Sequence, residues 1–390
     1  MAQLKIPAVY MRGGTSKGVF FKASDLPADA SERDRILLRT IGSPDPYGKQ
    51  IDGMGAATSS TSKIVILSPS SRPGCDVDYL FGQVAIDRPL IDWSGNCGNL
   101  TAAVGPFAIT EGWVKPGGDG HALVRIWQKN ISKTILSHVP VRGGAVVEEG
   151  EFVLDGVTFP AAEIRIEFLD PGGMGEEKGG VPMAMFPTGR IRDTLEVPGV
   201  GKIDATLITA GNPTIFVDAA VLGLSGTELQ GAVNSNAALL QKCEAIRAQG
   251  AVVMGIAKSV EEASTSRLHT PKLSFVSRPQ AYVASSGKKM GVDDMDLAVR
   301  ILSMGQLHHA LTGTGAIATA VAAAIEGTVV NEKRTAGADP LKTRLGHPSG
   351  MLAVGAEVKK DGDEWNVSRV VMSRSARRLM EGWVRVPTAG

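Results

Sequence analysis

The sequence predicts a strand-rich α/β or α+β protein made of two comparable halves, on three observations. Short segments rich in valine and isoleucine recur along the chain, bounded by Gly, Pro, Asp or Ser. The 47 glycines and 21 prolines call for many tight turns between short elements. A glycine-rich turn opening onto a run of small apolar residues occurs twice, once per half. The first copy is Ser94-Gly95-Asn96-Cys97-Gly98-Asn99, before residues 100–109; the second is Thr312-Gly313-Thr314-Gly315, before 316–325.

Taken in order, strands are expected over 8–11 and 19–22, joined by the turn Arg12-Gly-Gly-Thr15-Ser16-Lys17-Gly18. That turn reads equally as one wall of an anion pocket, presenting Arg12, Thr15, Ser16 and Lys17, or as a hairpin with exposed charges. It lacks the spacing of a nucleotide phosphate loop. A helix is expected over 31–41, and strands over 64–67, 77–79, 122–128, 133–139 and 164–168. The run 171–182 holds five glycines and shows no periodicity, so it divides the halves. Further helices are expected over 226–249, readable as two, and over 294–304, where Asp293-Asp294-Met-Asp296 suits a helix start. The two small-residue helices run over 100–111 and 316–326. A strand-like finish over 366–372 precedes a tail, 375–386, that can fold back on either half. One glycine turn and one small-residue helix per half form a weak internal repeat.

Composition excludes several classes. Forty-one Lys and Arg nearly balance 40 Asp and Glu, so attraction for an anionic ligand must be local, and nucleic acid or an anionic membrane is not an expected partner. Aromatic residues make up only 5% and do not interleave with basic stretches, against single-strand binding. The longest apolar run is about half of a membrane span. Three cysteines, Cys75, Cys97 and Cys243, suit a reducing compartment, and no leader is read at the N-terminus, so a cytoplasmic protein is expected. The six histidines show no ligand spacing and the cysteines are isolated, so no metal site is expected. Gly313-Thr-Gly315 fits only the loosest dinucleotide fingerprint and follows no convincing strand, which argues against NAD or FAD.

The residue chemistry points to a small acid. A glycine turn that opens a helix leaves backbone N–H groups unpaired at the positive end of the dipole. Two such turns, around Asn96, Gly98 and Asn99 and around Thr312, Gly313, Thr314 and Gly315, can hold two carboxylates of one ligand. Cys97 reads either as a thiol activated by that helix start or as a small buried residue behind the turn. Lys63 follows five consecutive hydroxyl residues, Thr58 to Ser62, with no counter-charge. Burial there depresses a lysine toward neutrality, as a general base requires; the alternative is a solvated lysine at a strand end. Lys272, after Pro271, is an ordinary turn residue or a polar group brought to an interdomain cleft.

Long motifs resemble the PrpF family. They are Met11-Arg-Gly-Gly-Thr-Ser-Lys-Gly18, Ile51-Asp-Gly-Met-Gly55 with Thr58-Ser-Ser-Thr-Ser-Lys63, and Trp93-Ser-Gly-Asn-Cys-Gly-Asn99, continuing through Gly211-Asn-Pro-Thr-Ile-Phe216, Thr312-Gly-Thr-Gly-Ala316 and Ser375-Ala-Arg-Arg-Leu-Met-Glu-Gly382. The resemblance implies an α+β, diaminopimelate epimerase-like fold: two similar domains, each a curved, mostly antiparallel sheet around a central helix, with the site in the cleft between them. The domains would be 1–180, completed by 375–390, and 181–374. Such epimerases carry a cysteine at each glycine turn; here the second position is Thr312, which removes a two-thiol mechanism and leaves Lys63 as the implied base. The implied activity is cofactor-independent isomerisation of an unsaturated tricarboxylate, 2-methyl-trans-aconitate to 2-methyl-cis-aconitate in the methylcitrate route of propionate breakdown. The rival substrates are 4-oxalomesaconate, another aconitate and methylitaconate; the rival class is an idle accessory of an iron–sulfur 2-methylcitrate dehydratase. That dehydratase is also the implied functional partner, and a homodimer the implied assembly.

Overall fold

The computed structural model describes residues 3–175 and 183–388. The division expected within 171–182 therefore lies largely outside the described residues. Eight principal strands contain most of the first half: β1 (Gln3–Gly13), β2 (Ser16–Lys22), β3 (Lys63–Pro69), β4 (Val77–Val84), β5 (Gly120–Gln128), β6 (Lys133–Arg142) and β7 (Ile164–Leu169), with the tail strand discussed below. Its helices are α1 (Ala30–Ile41) and α2 (Thr101–Thr110). The second half has β8 (Asp193–Val197), β9 (Gly201–Ala210), β10 (Asn212–Asp218), α3 (Gln230–Asn234), α4 (Ala237–Val253), β11 (Lys272–Ser277), β12 (Leu297–Ser303), α5 (Gly313–Ala324), β13 (Thr343–His347), β14 (Gly350–Asp361) and β15 (Glu364–Arg374). The last strand, β16 (Ala376–Pro387), returns to pair antiparallel with β1 from Gln3↔Pro387 to Gly13↔Ala376.

Strand pairing exposes the repeat that the layout suggested. Along β16-β1-β2-β3-β4-β5-β6-β7 the pairs run antiparallel, antiparallel, parallel, antiparallel, parallel, antiparallel, antiparallel. Along β8-β9-β10-β11-β12-β13-β14-β15 the order is the same. Parallel neighbours need a crossover. In each half one crossover holds a peripheral helix (α1, α4) and the other holds the small-residue helix (α2, α5). The halves join edge to edge where β7 pairs with β15.

Small side chains let both central helices sit wholly inside. Thr101–Ile109 of α2 and Gly313–Ala323 of α5 are buried throughout, and both contribute to one continuous apolar core. A helix that is apolar all round belongs in such a core. The fold class is α+β, as expected.

One element differs in kind. Residues 294–304, expected as a helix, form a single 3-10 turn at Val292–Asp294 followed by strand β12, in which all seven residues are buried. A short apolar run buried on both faces carries no period that separates strand from helix. Residues 226–249 do resolve into two helices, α3 and α4. No helix among the described residues is long and apolar enough to cross a membrane.

Candidate functional site

The two glycine turns meet back to back. A Cβ placed on Gly313 would lie 2.4 Å from the carbonyl carbon of Gly98, and one on Gly98 would lie 2.9 Å from that of Gly313. Only glycine lets the two helix starts approach this closely. Asn212, from the Gly211-Asn-Pro-Thr motif, ties them: its Oδ1 accepts from Asn96 N at 2.8 Å, and its Nδ2 donates to Asn96 O at 2.9 Å and Thr314 Oγ1 at 3.2 Å. Asn99 reaches across as well, donating from Nδ2 to Thr15 Oγ1 at 3.0 Å and to Leu311 O at 3.4 Å.

Some of the expected free donors are already engaged. Thr312 caps α5 by accepting from Gly315 N at 3.1 Å, and Leu100 N donates to Cys97 Sγ at 3.5 Å. The N–H groups of Gly98, Asn99, Gly313 and Thr314 donate to nothing among the described residues. Asn96, 0% exposed, has neither Nδ2 nor Oδ1 hydrogen-bonded. An unpartnered buried amide is costly and is a mark of a ligand position.

Lys63 opens β3 and is 5% exposed. Its Nζ donates to Gln83 Oε1 at 2.7 Å and lies 4.9 Å from the Phe81 ring centroid. Gln83 faces Lys63 directly in the β3–β4 register, and its Nε2 donates to Ser62 O at 3.0 Å, which turns Oε1 toward the amine. Burial lowers the lysine below its ordinary value, opposed by the neighbouring Cys97 sulfur. A neutral amide and an aromatic face surround this amine, with no carboxylate among the described residues.

The hydroxyl residues that precede Lys63 bond to other side chains. Ser62 Oγ donates to Gln50 Oε1 at 2.9 Å, while Ser60 Oγ sits 3.0 Å from His308 Nε2 and 3.1 Å from His309 Nδ1. Ala310 N donates to His308 Nδ1 at 3.1 Å, so the proton of His308 is on Nε2 and goes to Ser60, whose own hydrogen then goes to His309. Burial holds His308 well below its ordinary value, with His309, Lys63 and Lys272 adding to the effect.

Lys272, at the start of β11, is 2% exposed, and its Nζ donates to His269 O at 3.3 Å and Ser303 Oγ at 3.2 Å. Burial first, and then the charge of Lys63, pull it down to about 7. Asp92 braces this corner by accepting from Ser94 N and His269 N, at 2.9 and 2.8 Å.

The structure thus gathers Lys63, Cys97, Asn96, Gly98, Asn99, Lys272 and Thr312–Gly315. Arg12, Thr15, Ser16 and Lys17 instead line a cleft of about 940 Å³, with Ser60, His309 and the loop over 148–161. Arg12 Nη1 donates to Gly14 O, Ser375 O and Ser375 Oγ at 2.9–3.1 Å, tying the turn to the tail. Thr15 and Ser60 border both spaces, through Asn99 and His308. Sequence reasoning missed Gln83, His269, His308 and the buried Arg374. The adjacent His308-His309 pair was the one local signal among them.

Two buried amines, a thiol and four open helix-start N–H groups are the chemistry with which a site can abstract and return a proton on a small polyanion. The PrpF protein family model matches residues 3–387. The chain is 60% identical to the 2-methyl-aconitate isomerase of Cupriavidus necator over 392 residues, covering 99% of this chain and 98% of that protein. It is 58% identical to the 2-methyl-aconitate isomerase of Shewanella oneidensis, with the same coverage. The crystal structure of a methylitaconate-delta-isomerase superposes with a TM-score of 0.76 at 40% identity, covering 99% of this chain and 96% of that one. A probable proline racemase from Agrobacterium radiobacter, at 13% identity and a TM-score of 0.54 over 98% of this chain and 93% of that one, shares the fold. Motifs, fold and whole-length match agree: the chain belongs to the PrpF family.

Proposed function

We propose that the chain is a cofactor-independent isomerase that converts 2-methyl-trans-aconitate to 2-methyl-cis-aconitate, with Lys63 as the base. The observation that carries this reading is the placement of Lys63: buried, without a carboxylate, and beside Cys97 at the meeting point of two helix starts. Neutral Nζ takes a proton from an allylic carbon, and the electron pair delocalises through the alkene onto a carboxylate. Open N–H groups of the two turns stabilise the developing charge in a site that excludes water. The former double bond gains single-bond character, rotates, and the proton returns from the ammonium. Cys97 lies where it can relay that proton. Lys272 holds a carboxylate, and Arg12, Thr15, Ser16 and Lys17 line the approach.

The same reading takes 1–180 with 375–390 and 181–374 as the two domains. It places the enzyme in the cytoplasm, in the methylcitrate route beside an iron–sulfur 2-methylcitrate dehydratase, as a homodimer.

In D₂O, the isolated protein should convert 2-methyl-trans-aconitate and introduce deuterium at the allylic position. Lys63→Ala should lose about 10²–10⁴-fold in turnover, and Cys97→Ala should keep measurable activity. Retained turnover in the lysine variant would reassign the base. Because the solved relative at 40% identity is a methylitaconate-delta-isomerase, a panel adding methylitaconate and 4-oxalomesaconate decides the substrate.

A further inference from the structure

Arg374, the last residue of β15, is 1% exposed. Its Nε donates to Asn99 Oδ1 at 3.1 Å and its Nη1 to Ser373 O at 3.1 Å. A guanidinium has five N–H bonds; one on Nη1 and both on Nη2 find no acceptor among the described residues. Among the described residues no carboxylate acts on it: burial lowers its ordinary value to about 10, opposed by Cys97. Burying an arginine in this way costs several kcal/mol unless a counter-charge completes it.

The two other buried arginines of the second half show the structural alternative: Arg247 pairs with Glu244 and donates to Arg267 O and Ala263 O. Arg300 gives its Nε and Nη1 hydrogens to three main-chain carbonyls, Glu228 O, Val299 O and Gly346 O, at 2.6–3.2 Å, and it lies over the Tyr282 ring, although its buried Nη2 finds no partner among the described residues. Arg374 has one side-chain oxygen and its neighbour's carbonyl. Its place is also specific. Asn99 carries the guanidinium on Oδ1 while Nδ2 reaches Thr15 and Leu311, so Arg374 hangs from the amide that spans both turns. A Cβ on Gly14 would lie 2.6 Å from Asn99 Oδ1 and 3.1 Å from Arg374 Cδ, so the chain leaves room there for the pair. The orphaned amide of Asn96 lies in the same turn.

We infer that Arg374 binds one carboxylate of the substrate through its open Nη1 and Nη2 hydrogens, and so helps to select tricarboxylates over dicarboxylates. The inference rests on the proposed function and adds a residue to it. Arg–carboxylate pairs of this kind are the strong, geometrically selective ones.

The test uses three unreactive acids: tricarballylate, and the two dicarboxylates obtained by deleting its central or a terminal carboxyl-bearing arm, glutarate and succinate. Arg374→Gln and Arg374→Lys are compared with the wild type by calorimetry, with melting curves to verify folding. Arg374→Gln should weaken tricarballylate about 10- to 100-fold. At least one dicarboxylate, the one lacking the carboxylate that Arg374 holds, should change less than about twofold, and Arg374→Lys should fall between. An equal loss for all three acids, as a structural role would cause, overturns the inference, as does no loss. Should the glutamine variant fail to fold, a wild-type crystal with tricarballylate decides. A carboxylate oxygen within about 3.2 Å of Nη2 supports the inference, and none there overturns it. A wild type that binds none of the acids removes the proposed function as well.

Discussion

Lys63 and Lys272 show how position alone differentiates two identical side chains. Lys63 meets an amide oxygen and a ring, whereas Lys272 lies within the influence of Asp92, which favours its charged form. The charge of Lys63 lowers the proton affinity of Lys272, so near neutrality the pair holds fewer than two protons. The proposed roles need Lys63 neutral and Lys272 charged. Turnover should therefore fall in acid, as Lys63 takes a proton. The value of about 7 for Lys272 includes the charge of Lys63, so beside a neutral Lys63 the amine keeps its proton beyond 7, and substrate binding should weaken only above that point. Lys272→Met should abolish the alkaline limb along with tight binding. It should also stabilise the fold. The folded pKa of Lys272 is about 7 and its ordinary value 10.5, so the unfolded chain binds more protons between those values and stability rises with pH across that window. Removing the amine should raise stability at pH 7 by a few kcal/mol and flatten the slope between pH 7 and 9, which denaturant titrations at both pH values measure. A methionine variant no more stable than wild type would mean that the amine is not a buried burden.

Elements hold these side chains through backbone proximity, and glycine controls that proximity. Gly313→Ala would place a methyl 2.4 Å from the Gly98 carbonyl carbon and 2.6 Å from Asn99 N, against backbone that cannot swing aside. It should cost about 1–3 kcal/mol or more as overpacking and should reduce turnover by parting the helix starts. Gly231, inside α3 with nothing within 4 Å of its missing Cβ, is the control. There alanine should stabilise by about 0.5–1 kcal/mol. Melting of both variants, with activity of the first, checks the pair. The elements were largely legible beforehand. Alternating or continuous apolar runs marked the strands of the first half, and small-residue runs after glycine turns marked α2 and α5. Residues 294–304 were misread because Asp293, Asp294 and Asp296 imitate a helix start, whereas burial on both sides makes the run a strand.

At the scale of the molecule, buried neutral histidines set the response to acid. Burial holds His269 and His308 well below their ordinary value of 6.5, and His347 at about 3. Below 6.5 the unfolded chain takes up protons that these rings refuse in the fold, so stability falls as pH drops. The loss should be about 2 kcal/mol per ring between pH 7 and 5. A denaturation midpoint unchanged over that interval would contradict the burial of these rings. His269 and His308 also flank the site, on Asn96 and on Ser60. Acid should therefore loosen the site's walls as it weakens the fold.

Local chemistry was enough to establish a strand-rich α/β or α+β character, the two glycine turns, the small central helices, and Lys63 and Cys97 as candidates. Those depend on residue type and spacing over a few positions. Only the tertiary structure decided that Gln83 is the partner of Lys63, that Asn212 ties one turn to the other, and that Arg374 hangs from Asn99, 275 positions away. Strand register, the crossover of each half and the return of β16 to β1 set those meetings, and no local preference encodes them. The charge of a buried amine follows from its final surroundings, and these exist only after the chain has closed around it.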